Sequence, residues 1–333
     1  MNKRIDYLDI AKGIGMLCVI AGHMGIDKIT ALVYPFHMPL FFLVSGYLLD
    51  TYQDMRRYMR KKMRQLLIPY AFTCMGVCVL SVLKSYILSG TNQIWRALGS
   101  SILSCFYGAG VNYNLPFQIK EIGSVWFLLA LLWALLTVKF FVNVENGWIY
   151  VGVIAYISYI TSQYIWLPFS IQAGGTAAVF VYVGYLIRKK QSREAKDDFR
   201  VHGLLVLAGV FLWWFEFRHG FFILMAANEY PKGLFSIISA LLICYVVLCI
   251  AYLIDKRLKI TKKIFLFFGK NSLVILCFHL IEIYAVPWNI VYSFLDMFSV
   301  VKALQYIIVF ALGVLFAAVC TGLFIRTKNL INR

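Results

Sequence analysis

Apolar stretches about as long as a bilayer is thick recur from one end of this chain to the other, with no long polar interval between them. A membrane-crossing helix needs about 20 mostly apolar residues. Stretches of that kind fall at residues 8–26, 33–50, 66–88, 124–142, 148–163, 169–187, 202–219, 233–254, 271–291 and 302–325. The pattern predicts an all-α integral membrane protein with about ten transmembrane helices, and residues 1–333 are expected to form a single polytopic membrane domain. The first stretch carries Asp9, Lys12 and His23 and lacks a small-residue cleavage site. It is therefore expected to stay in place as a signal anchor.

Composition excludes a soluble protein: 62% of the 333 residues are hydrophobic, 14% are charged, and the mean hydropathy is +0.78. The net charge of +17 matters through its placement. Lys and Arg accumulate in short cytoplasmic loops. With the N-terminus inside, the inner segments hold Lys3 and Arg4, then Arg56, Arg57, Arg60, Lys61, Lys62 and Arg64, then Arg188, Lys189, Lys190, Arg193, Lys196 and Arg200. Later ones hold Lys256, Arg257, Lys259, Lys262 and Lys263, and finally Arg326, Lys328 and Arg333. Only Lys28, Arg96, Lys120, Arg218 and Lys232 fall in or beside outer loops, so both termini are expected to be cytoplasmic. Charges spread over short loops argue against nucleic acid and for anionic membrane lipids as partners. The same loops can hold a polyphosphorylated cofactor.

Residues 89–123 form the longest connection, on the outer side. In IWRALGSSILSCFYGAG, the residues Ile94, Trp95, Leu98, Ile102 and Phe106 recur at helical spacing, which predicts an amphipathic helix on or in the outer surface. After it, Asn112, Asn114, Gln118, Glu121 and Trp126 mix hydrogen-bonding and aromatic groups as a sugar site does; a solvated loop with an interfacial tryptophan reads the same way. The eight cysteines show no metal-ligand spacing: Cys74 and Cys78 share a helix face but lack a His or carboxylate partner. All eight read as small apolar core residues, and no metal site is expected.

His23 and His37 stand inside the first two apolar stretches, where an ionisable side chain is costly and so a functional candidate. At about 1.5 Å rise per residue, His23 lies about 16 Å beyond Lys12 along the first helix. The second helix runs back, so His37 reaches the same outer layer while Ser45, Gly46 and Tyr47 fall lower. This describes a conduit with a cationic inner mouth and imidazoles near the outer side.

The blocks RIDYLDIAKGIGMLCVIAGH, FHMPLFFLVSGYLL, KKMRQLLIPY and FFGKNSLVILCFHL, in this order and spacing, resemble the integral membrane acyltransferase family 3, in its fucose 4-O-acetylase-like branch. The resemblance implies an O-acyltransferase of the bacterial cell membrane that moves an acyl group, usually acetyl, from cytoplasmic acyl-CoA to a hydroxyl of a carbohydrate acceptor at the outer face. In the family a basic residue stands eleven positions before the first-helix histidine, as Lys12 stands before His23. Many members have arginine there; lysine keeps the charge but loses the bidentate fork.

Thioester-to-alcohol transfer needs a base, and neutral imidazole is best poised for it near pH 7. His23 is the choice, with His37 donating to the thioester oxygen or holding the acceptor. Asp9 is about four turns from His23 and cannot touch it, so an orienting carboxylate must come from elsewhere, with Glu282 and Glu121 as candidates. Ser45 and Tyr47 can line the donor path beside Lys12, and Arg57, Arg60, Lys61 and Arg64 can take the CoA phosphates. Glu121, Trp126, His279 and Glu282 are candidates for the acceptor side. A covalent acyl-histidine route competes with direct transfer.

Each histidine also has a structural reading as a helix-helix hydrogen-bonding group, and Asp6 and Asp9 as a complement to the first helix dipole. A transporter or flippase, suggested by Pro168, Gly174 and Gly175 interrupting the sixth helix, and a sensor or uptake module are the alternatives to an enzyme. The acceptor, larger acyl groups, and a monomer against a homo-oligomer stay open.

Overall fold

The computed structural model describes residues 5–89, 93–114, 117–193, 199 and 201–331. Of the inner-segment cations, Lys3, Arg4, Lys196, Arg200 and Arg333 lie outside the described residues, as does the side chain of Arg193. Regular structure among the described residues is helical; two isolated backbone bridges, Tyr113 with Ile119 and Leu224 with Glu229, belong to loops.

The chain opens with α1 (Asp6–Gly22), the short α2 (Asp27–Val33) and α3 (His37–Tyr47). Pro35 has no N–H to continue α2, and Phe36, at φ −135°, steps out of the helix. The helix expected from residue 33 therefore starts at His37. Next comes α4 (Met55–Ser89), whose 35 residues make a rod about 52 Å long, well beyond the roughly 30 Å hydrocarbon layer. Its cationic first turns extend the predicted span. The amphipathic helix read from the 94–106 spacing is α5 (Ile94–Tyr107).

The remaining helices are α6 (Trp126–Phe141), α7 (Gly147–Ser162), α8 (Ile171–Arg193), α9 (Gly203–His219), α10 (Leu234–Arg257), α11 (Lys259–Lys270), α12 (Ser272–Ala285), α13 (Trp288–Met297) and α14 (Lys302–Ile331). The helix expected over 271–291 stops at Ala285, because Pro287 keeps Val286 extended, at ψ 122°. Helices α11 and α13 were not legible as separate elements. The expected interruption of the sixth span is also placed differently: α8 runs unbroken through Gly174 and Gly175, and the irregular turn precedes it, with Phe169 and Ser170 at positive φ.

By length and composition, five stretches among the described residues can cross a membrane: Asp27–Tyr47, Met55–Ile87, Pro168–Ser192, Leu234–Arg257 and Lys302–Ile331. The pair α11 and α12, bent by 75°, makes a sixth if counted as one. That is fewer than the ten expected, because α6 and α7 have 16 residues each and α1 and α9 have 17. The chain is a multi-pass membrane protein.

Helix α8 packs against α3, α6 and α7, and α1 against α3, α10 and α11. Several contacts of backbone on backbone need glycine, two of which bear on the site. A Cβ on Gly184 would stand 2.0 Å from the Leu43 carbonyl oxygen, and one on Gly269 would stand 1.7 Å from that of Asp9. Small residues allow this close approach between membrane helices. The second contact locks α1 to α11, and Lys262 ties the same end by bridging Asp6 at 2.8 Å and Asp255 at 2.7 Å. The position of α1 along its own axis, on which Lys12 and His23 ride, is thereby fixed. At the periphery, α14 buries one stripe of every fourth residue, Gln305, Val309, Gly313, Ala317 and Thr321, and packs on α12.

Candidate active site

His23 caps the end of α1, and His37 begins α3. The turn through α2 brings the chain back, so both imidazoles line one cavity of about 400 Å³. Tyr34, Lys84, Glu121, Ser124 and Trp126 share its wall, and residues 223–226 close it from the loop before α10.

Each histidine reaches back to a main-chain carbonyl four residues earlier: His23 Nδ1 lies 2.9 Å from the Val19 oxygen and His37 Nδ1 2.9 Å from the Val33 oxygen. A carbonyl can only accept, so in the neutral rings Nδ1 carries the proton and Nε2 the lone pair. Neither Nε2 has a partner among the described residues. The cavity therefore holds two imidazole bases with bare nitrogens. A neutral His37 in this tautomer accepts at Nε2, so donating to a thioester oxygen would first require its protonation.

The pair differs in support. His279 on α12 places Nε2 3.3 Å from His23 Nδ1, and its Nδ1 donates to Glu282 Oε2 at 2.8 Å. His279 and Glu282 are both buried at 2% exposure, while His23 is open to the cavity. The carboxylate thus acts on His23 only through a second imidazole. When Nε2 of His23 takes a proton, the charge on the ring is drawn toward His279 and the Glu282 carboxylate behind it. His37 has the Tyr34 ring at 4.7 Å and no carboxylate. His279 and Glu282, read from sequence as acceptor-side candidates, stand behind the base and not on the cavity wall.

A second cavity, about 170 Å³, is lined by Lys12, Ser45, Leu66 and Ser272 among others. It shares Val19 and Met38 with the first. The two spaces therefore abut along α1, with Lys12 facing one and His23 the other. Lys12 is ion-paired to Asp9 at 2.7 Å, so its charge is already matched. Tyr47 lines neither space: its hydroxyl donates to Gln191 and its ring lies under the Arg188 guanidinium at 5.4 Å, beside a separate small cleft. Arg57, Arg60, Lys61 and Arg64 are exposed on the first turns of α4 and line neither cavity, although Leu66, just beyond them, does.

Of the five loop residues read as sugar-binding, Glu121 and Trp126 line the histidine cavity. Asn112 instead accepts a hydrogen bond from the Glu121 backbone at 3.0 Å and shapes the loop, and Asn114 and Gln118 are not on the wall. Partial burial raises the Glu121 carboxyl above its ordinary value. Sequence reading missed Lys84 and Ser124. Lys84 reads as an interfacial lysine closing an apolar span, and nothing in a lone serine before α6 marks it. The cysteines are not all isolated, since Cys78 and Cys105 bring their sulfurs to 3.8 Å.

The profile of the acyltransferase domain family matches residues 5–324. The chain belongs to this acyltransferase family. A nodulation protein, NolL of Sinorhizobium fredii (strain NBRC 101917 / NGR234), is 28% identical over 165 residues, covering 44% of this acyltransferase chain and 40% of that protein. The chain thus spans well under half the length of the relative it matches. No solved structure matches it.

Proposed function

We propose that this acyltransferase moves an acyl group, acetyl in the first instance, from cytoplasmic acyl-CoA to a hydroxyl of a cell-envelope glycan at the outer face of a bacterial plasma membrane. The observation that carries the reading is the pair of abutting cavities, one with Lys12 at its wall and one with two bare imidazole nitrogens. The rise from Lys12 to His23 along α1, about 16 Å, suits a long donor threaded from the inner side with its thioester near Val19 and Met38. The ten-span topology with both termini inside is part of the proposal; each of the ten predicted stretches contains a helix.

Nε2 of His23 accepts the proton of the acceptor hydroxyl as that oxygen attacks the thioester carbonyl carbon. The carbon–sulfur bond then breaks, and the proton passes from His23 to the departing thiolate, giving free CoA and the ester. His279 and Glu282 hold the His23 ring and stabilise its transient charge. His37 accepts a hydrogen bond from a second acceptor hydroxyl, which fixes the sugar. The exposed cations of α4 meet the donor's phosphates at the inner surface.

The test is acetyl-CoA turnover by the purified protein in lipid, with a cell-envelope glycan extract as acceptor. CoA release should require the extract and fall by 10²–10⁴-fold, the usual worth of a general base, in His23→Ala. Label from radioactive acetyl-CoA trapped on the protein without acceptor would replace direct transfer by an acyl-histidine route. A folded wild type that neither binds nor consumes acyl-CoA would sink the proposal.

A further inference from the structure

The histidine cavity contains more than a base, and its hydrogen-bonding inventory points to a class of acceptor. The two bare Nε2 atoms are acceptors, which the hydroxyls of any sugar satisfy. Two other groups of the wall can donate. Lys84, near the end of α4, lines the cavity and has no ion-pair partner among the described residues. Ser124, just ahead of α6, is buried at 5% exposure and its Oγ has no hydrogen-bond partner, although it lies on the cavity wall. Buried polar groups are nearly always paired, and an orphan calls for an explanation.

Among the described residues the cavity wall carries one cation and one carboxylate, Lys84 and Glu121. The imidazoles are neutral in the tautomers their carbonyl partners set. Glu121 makes no ion pair with Lys84 among the described residues, and partial burial raises its carboxyl above its ordinary value. Lys84 is the one cation on the wall among the described residues, and it is exposed rather than buried in a protein ion pair.

Resting on the acyltransfer reading, we propose that the acceptor is an acidic glycan whose carboxylate or phosphate seats on Lys84, placing a neighbouring hydroxyl at Nε2 of His23. Ser124 is the second donor to that group. A uronic-acid sugar and a phosphodiester-linked sugar present the same oxyanion chemistry, and the experiment separates them.

Envelope glycans are divided into neutral and acidic pools by anion exchange, and each is offered with radiolabelled acetyl-CoA to the purified protein in lipid. Label should enter the acidic pool at least ten-fold over the neutral one. Cleavage of phosphodiesters in the labelled product then releases the label with small fragments if the anion is phosphate, and leaves it on an acidic polymer if it is uronate. Lys84→Gln should lower labelling of the acidic pool by about ten- to a hundred-fold, the worth of a hydrogen bond to a charged group, through acceptor KM. Lys84→Arg should restore most of it. Label in the neutral pool at an equal or higher level overturns the proposal, as does CoA release with neither pool labelled. A Lys84→Gln defect confined to the KM for acetyl-CoA overturns it too, by moving Lys84 to the donor. Absence of His23-dependent CoA release with every pool is a different result: it removes the acyltransfer reading itself.

Discussion

The two cavities that meet at Val19 and Met38 differ in what they leave unpaired. On the lysine side the one cation is matched by Asp9 at 2.7 Å, and most of the wall is apolar. On the histidine side Lys84, Ser124 and two imidazole nitrogens face the space without protein partners among the described residues. Polar groups that have found each other hold a structure in place, whereas groups kept apart are available to a ligand. On the proposed reading one cavity serves passage and the other chemistry, although both are built from the same stretch of α1.

The contrast can be broken at three places beyond His23 itself. Glu282→Gln keeps a hydrogen-bond acceptor for His279 but deletes the charge. It should lower kcat about ten- to a hundred-fold, the usual cost of losing a supporting partner of a catalytic imidazole, with the acceptor KM little changed. A wild-type kcat would make the His279–Glu282 pair a packing feature. Met38→Trp fills the boundary between the cavities and should raise the KM for acetyl-CoA about ten-fold, the scale of overpacking in a well-filled site. An unchanged KM in a variant that elutes as the wild type would show that the two spaces are not one path. Tyr47→Phe should change turnover less than two-fold, since its hydroxyl serves Gln191 outside both cavities; a larger loss would bring that cleft into the donor route. CoA release read by a thiol reagent serves for all three.

The helical membrane architecture was legible in the hydropathy, and His23 and His37 in the cost of burying an ionisable ring. Where the reading fell short, rotation and depth explain it. Ser45 and Tyr47 were placed on one path, yet two residues along a helix turn the side chain by about 200°, so one faces the lysine cavity and the other a different cleft. His279 and Glu282 stand three apart and share a helix face, a signal the sequence carries; what it does not carry is that α12 sets this face behind His23 and away from open space. Lys84 was hidden because a lysine at the end of an apolar run is what any membrane interface calls for. The boundaries at Pro35 and Pro287 were set by single prolines that a hydropathy window averages away.

One feature of the base is protected in an unusual way. The proton position on His23 and His37 is imposed by the carbonyls of Val19 and Val33, and a carbonyl belongs to every residue type. No substitution at either valine short of one that breaks the helix can switch the tautomer. On the proposed mechanism, side chains around the cavity are thus free to vary while the Nε2 lone pair stays presented. Diversification of such an enzyme would be expected to leave its chemistry intact while its substrate range drifts.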